Sequence, residues 1–166
     1  MQEIQMDNKG PSAPPIPAVG VGGLIFNDQG HVLLIARRNP PRAGEWHIPG
    51  GRLEPGETLA ACCSREIWEE TGIRAIPESI VAVADRQIDG FHYVIIDFMA
   101  ALSENEDGAA PCPGSDALDA GWFDPEHLDE LPLVEGLEEV IAAGKRLRNG
   151  KNKGLSLDSH HSWLYA

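Results

Sequence analysis

The chain has 166 residues, 42% of them hydrophobic, which suits one domain with a core of its own. Its formal net charge of −13 offers no basic surface to release counterions from a long polyanion, which excludes long nucleic acid as a partner. The opening MQEIQMDNKG lacks the basic and apolar run of a signal peptide, and no apolar stretch approaches the roughly 18 residues that span a bilayer, so a cytoplasmic protein without a membrane partner is expected.

Residues 1–17 are polar and proline-rich and predict an extended leader, with the folded domain running from 18 to 148 and a C-terminal tail from 149 to 166. AVGVGGLIF and HVLLIAR read as strands joined into a hairpin at Asn27-Asp28-Gln29-Gly30. NPPRAGEW must be a loop, because its paired prolines and Gly44 suit neither helix nor strand. HIPGG follows, where Pro49, Gly50 and Gly51 let the backbone approach a ligand closely and free the Gly50 carbonyl for a metal.

A helix is expected from Leu59 to Thr71, with Thr58 as N-cap and Gly72 just past its end. Its apolar face is Leu59, Cys63 and Ile67. Strands near 80–88 and 91–102 flank Asp89-Gly90 as a second hairpin. ENEDGAAPCPGSD is a long acidic loop of the kind that covers a site, LDAGWF a last short strand, and PEHLDEL and GLEEVIAAGKRLR two helices. The tail GKNKGLSLDSHHSWLYA shows no period, and His160-His161 reads as a solvated pair. Three cysteines, Cys62, Cys63 and Cys112, match neither a disulfide framework nor a CxxC zinc pattern and read as reduced thiols, with Cys63 in the core and Cys62 beside the site.

Most of the chemistry lies in one segment. Glu66, Glu69 and Glu70 fall at i, i+3 and i+4, one side of the predicted helix, where like charges repel unless a cation sits among them. Three carboxylates are an all-oxygen set suited to Mg²⁺ or Mn²⁺. Seven arginines fall between Arg37 and Arg86 and none between Arg86 and Lys145, so a small phosphate ligand has local cationic partners despite the acidic whole.

Gly51, five residues, Glu57, seven residues, Arg65-Glu66, an aliphatic, any residue, Glu69-Glu70, any residue, Gly72 and Ile73 form a pattern that resembles the Nudix hydrolase signature at every defined position. The resemblance covers roughly residues 18–148. It implies an α/β/α sandwich with a mixed sheet and hydrolysis of a nucleoside diphosphate linked to another moiety, a small-molecule nucleotide substrate. Glu66, Glu69, Glu70 and Gly50 would hold Mg²⁺ or Mn²⁺, Gly51 and Glu57 would support them, and Arg65 would orient Glu57. The general base is either Glu70 or Asp116, with Asp119 a weaker alternative. Arg37, Arg38, Arg42 and Arg52 are candidates for phosphate contact, and Trp46 for stacking on a base or for packing.

RRNPPRAGEWHIPGG and FHYVIIDF resemble bacterial proteins of the ADP-ribose pyrophosphatase-like group, although Asp89 stands where many ADP-ribose hydrolases carry a proline sixteen residues beyond the signature. The SQPWPFPxS array of NADH hydrolases is absent. ADP-ribose or a nucleotide sugar is therefore the leading substrate class, with a nucleotide-sanitising triphosphate pyrophosphohydrolase as alternative and a non-catalytic nucleotide sensor behind both. A homodimer is compatible with all three.

Overall fold

The computed structural model describes residues 16–40, 42–88, 91–150, 155–157 and 163–165. The expected leader, the Asp89-Gly90 turn and the His160-His161 pair lie outside them, save for the leader's last two residues.

A six-stranded sheet is built from β1 (Ala18–Leu24), β4 (Gly50–Arg52), β5 (Ala75–Ile88), β6 (Phe91–Leu102), β8 (Leu155–Leu157) and β9 (Trp163–Tyr165), in the order β4-β1-β6-β5-β9-β8. β1 runs parallel to β6 and antiparallel to β4, so the sheet is mixed. A second sheet holds β2 (Val32–Arg37) between β3 (Trp46–His47) and β7 (Ala117–Phe123). Helices α1 (Leu59–Thr71) and α2 (Leu137–Arg148) lie on opposite faces of the large sheet. Adjacent residues of β1 show this alternation: Gly23 faces Ile67 and Cys63 of α1, while Leu24 faces Gly144 of α2. The expected α/β/α arrangement is what the chain adopts.

α1 forms where its signals place it. The Thr58 hydroxyl accepts the Ala61 N–H at 3.1 Å, a cap worth about 1 kcal/mol, and Gly72 at φ 69° closes the helix by donating to the Trp68 carbonyl. Cys62, Cys63 and Ile67 are fully buried, with Leu59 packed against their cluster. Truncating Ile67 to alanine would cost about 2–5 kcal/mol.

Four expectations are corrected. The hairpin at Asn27–Gly30 forms, with Gly30 at φ 83° donating to the Asn27 carbonyl, Phe26 bridging Val32 antiparallel and Leu33 N–H reaching the Ile25 carbonyl at 3.1 Å, yet the pairing stops there and β1 and β2 enter different sheets because β4 and β6 already occupy both edges of β1. β5 starts at Ala75 rather than Ile80, and Pro77, which has no N–H to donate, sits at a register shift. PEHLDEL is not a helix. Asp124 instead closes a turn on Glu126 and His127, and the chain is drawn against β3 by Trp46 N–H to the Pro132 carbonyl at 2.8 Å and Val134 N–H to the Trp46 carbonyl at 3.0 Å. The tail contributes β8 and β9, and β9 pairs with β5, so the sheet continues past residue 148.

Candidate active site

Helix α1 brings Glu66 and Glu70 against the Gly50-Gly51 stretch of β4, with Arg65 and Glu69 beside them on the helix. Glu70 is half-buried, and its Oε2 accepts the Gly50 N–H at 2.8 Å. Glu66 lies against Gly51 so closely that a Cβ there would occupy the space of its carboxyl group and push it aside, so glycine leaves the carboxyl where Arg65 holds it. Glu69 is the exposed member of the three.

Arg65 ties the acids together. Its Nε and Nη2 reach the two carboxylate oxygens of Glu57 at 2.7 and 2.9 Å, while Nη1 donates to Glu66 at 2.7 Å and to Glu69 at 3.1 Å. This bidentate grip is the strong form of the ion pair. It holds the Glu57 carboxyl down at about 2. Nη2 also points at the Cys62 sulfur at 3.5 Å, so Cys62 does border this cluster, and burial pushes its thiol up to about 12. A thiol that reluctant to ionise is no nucleophile.

The acids differ in electrostatic state. Burial pushes Glu70 up to about 8, reinforced by the neighbouring charges of Glu66 and Asp116 and opposed by the Gly50 N–H and by Arg37. Burial also raises Glu66, against the pull of Arg65. Carboxylates crowded this way accept a cation readily. The donor set is all oxygen and the Gly51 cradle leaves no room for a side chain, so these residues suit a hard divalent ion. Among the described residues no three such side chains already converge on one point, and Arg65 is paired with Glu57, Glu66 and Glu69.

The acidic loop does not hang free over the site. Its Cys112 N–H donates to the Thr71 carbonyl at 2.8 Å and its Gly114 N–H to the Glu70 carbonyl at 3.0 Å, both at the last turn of α1. The Asp116 carbonyl in turn accepts the Arg38 N–H at 3.1 Å, and Arg38 Nη2 donates to the Ala117 carbonyl at 2.6 Å. Asp116 is exposed and near enough to Glu70 to raise its pKa. Asp119 instead accepts its own neighbour's N–H, from Ala120, at 2.8 Å.

Of the substrate-contact candidates, Arg37 lies at the end of β2 and Arg52 at the end of β4, both exposed. Arg42 pairs with Glu45 at 3.5 Å. The Trp46 ring packs edge-on against Phe123 at 4.7 Å, within the second core cluster, which is the packing role of its two readings.

Two polar groups escaped the sequence reading. Asp97 is 8% exposed on β6, opposite Gly22, and burial pushes it up to about 7 against the pull of Arg86. His47 donates its Nδ1–H to the Ile48 carbonyl at 2.7 Å, and burial lowers its pKa to about 4, which leaves it neutral. A lone aspartate inside the apolar run VIIDFMA was the available signal for the first. Nothing local marked the second.

The chain is similar to known proteins in sequence and in fold. A family model described as NUDIX domain matches residues 16–144. A MutT-like protein of Streptomyces ambofaciens is 30% identical over 148 residues, covering 87% of this chain and 90% of its own. An ADP-ribose pyrophosphatase of Methanocaldococcus jannaschii is 37% identical over 137 residues, covering 81% and 76%. Among solved structures, a MutT protein from Methanosarcina mazei Go1 superposes with a TM-score of 0.70 at 26% identity, covering 82% of this chain and 99% of its own.

Proposed function

Because the chain belongs to the Nudix hydrolase family, we propose that it is a divalent-metal-dependent enzyme that splits the diphosphate of a nucleoside diphosphate linked to a second moiety, of the ADP-ribose or nucleotide-sugar type. The observation that carries the reading is the meeting of Glu66 and Glu70 with the side-chain-free backbone of Gly50 and Gly51, with Glu69 exposed beside them. Glu66, Glu69, Glu70 and the Gly50 carbonyl would hold the metal. A bound divalent ion would neutralise phosphate charge and make the attacking water more acidic.

The remaining roles fall to the chain's own side chains. Arg65 keeps Glu57 and Glu66 oriented, a positioning role that needs its planar fork. Arg37, Arg38 and Arg52 supply positive charge to the phosphates. Glu70 or Asp116 takes the proton from water; of the two, Glu70 lies against the Gly50-Gly51 backbone, where its Oε2 accepts the Gly50 N–H at 2.8 Å, and Asp116 is exposed on the loop beside it. The relative named ADP-ribose pyrophosphatase supports the substrate class.

The MutT-like relative favours a second reading, cleavage of nucleoside triphosphates. Chromatography of the products separates the two. With Mg²⁺ and ADP-ribose or a nucleotide sugar, two monophosphates are expected. Release of inorganic pyrophosphate from a triphosphate, with diphosphate derivatives untouched, would replace the first reading with the second. Absence of turnover across a nucleotide panel would favour a sensor.

No helix among the described residues is long and apolar enough to cross a membrane. The expectations of a cytoplasmic location and of a possible homodimer remain part of this proposal.

A further inference from the structure

We infer that Gly114 is a positioning residue for the reaction: its missing side chain lets the segment from Cys112 to Ala117 lie against the last turn of α1 and tie Glu69 and Glu70 to the Arg38 end of β2. This rests on the metal reading above and extends it to a residue outside the signature.

The contact is backbone on backbone. A Cβ at Gly114 would fall within the contact radius of the Glu69 carbonyl oxygen, 3.0 Å from the Glu69 carbonyl carbon and 3.2 Å from the Glu70 Cα. None of those atoms belongs to a side chain that can swing away. The glycine is required by this close approach, because its φ is not among the positive values. Its N–H satisfies the Glu70 carbonyl, and the Cys112 N–H satisfies that of Thr71, two acceptors of the kind a helix leaves open at its C-terminus. On the far side, Arg38 binds the same segment through its N–H at Asp116 and its guanidinium at Ala117. Glu69 and Glu70 therefore sit on a helix turn clamped from the site side by Gly50 and from the loop side by Gly114. Moving that turn would displace two carboxylates at once while leaving Arg37 and Arg52, on β2 and β4, in place.

Gly114→Ala should weaken Mn²⁺ binding to the substrate-free protein, followed by electron paramagnetic resonance, roughly tenfold, the scale of lost support around a metal ligand. It should lower kcat by about as much or more with KM little changed. Gly144→Ala is the control, since its Cβ would intrude on Leu24 on the α2 face, so it should lower thermal stability and leave Mn²⁺ affinity and kcat as in wild type. Should Gly114→Ala not fold, Pro113→Gly loosens the same segment without adding an atom and should weaken Mn²⁺ several-fold. Wild-type affinity and kcat in a folded Gly114→Ala, or in Pro113→Gly where that is used, would overturn the inference while leaving the metal reading intact. Failure of the wild type itself to bind Mn²⁺ would overturn both.

Discussion

Arg65 grips Glu57 with two parallel hydrogen bonds of 2.7 and 2.9 Å, across eight residues of chain, and spends its remaining amino group on Glu66 and Glu69. One guanidinium thus sets the orientation of three carboxylates. Lysine carries the charge but cannot form the fork. Arg65→Lys should therefore lose most of what Arg65→Ala loses, about 10–100-fold in kcat, with less effect than removing a metal ligand. Steady-state kinetics decide it. A KM effect larger than the kcat effect would instead put Arg65 in contact with substrate.

The choice of base is a test between two acids. If Glu70 takes the proton, Glu70→Gln should lose kcat by about 10²-fold or more, while Asp116→Asn stays within a few-fold of wild type. If Asp116 takes it, Asp116→Asn should show the large kcat loss with KM little changed, and the gap to wild type should narrow as pH rises and hydroxide substitutes. Rate measurements across pH for both variants separate these outcomes.

Asp97 gives a stability prediction with a defined sign. Its folded pKa, about 7, lies above the ordinary 3.8 because burial disfavours the anion. The folded state therefore holds a proton the unfolded chain releases. That contribution is fully present below 3.8 and is lost as pH rises through about 7. Asp97→Asn keeps the shape without the charge. Relative to the variant, wild type should lose up to about 1.4 kcal/mol of unfolding free energy per pH unit between the two values. Denaturant titrations at pH 5 and pH 8 measure it, and a constant difference between the proteins would mean that Asp97 is ionised at both.

What could be read from the sequence was what is encoded within a few turns of chain. α1 is bounded by Thr58 and Gly72 and was legible from those local signals, and the Glu57–Arg65 pair was legible through the resemblance to the signature. The parallel pairing of β1 with β6 was not, since Gly22 and Asp97 meet across 75 positions and neither strand's pattern names its partner. PEHLDEL carries an amphipathic spacing that a helix would satisfy, but Pro132 and the Trp46 backbone draw it against β3. Gly114 sits in a polar stretch that looks like any loop. Its importance exists only once the Glu69 carbonyl is beside it.

The central claim is that the carboxylates of α1 hold a catalytic metal, and Glu69 tests it most directly because it is exposed and its change to glutamine alters charge without altering core volume. The measurement is kcat of Glu69→Gln with Mg²⁺ on the best diphosphate substrate, alongside circular dichroism of the same sample. A native spectrum with turnover reduced by about 10²-fold or more is predicted. A native spectrum with near-normal turnover would contradict the account.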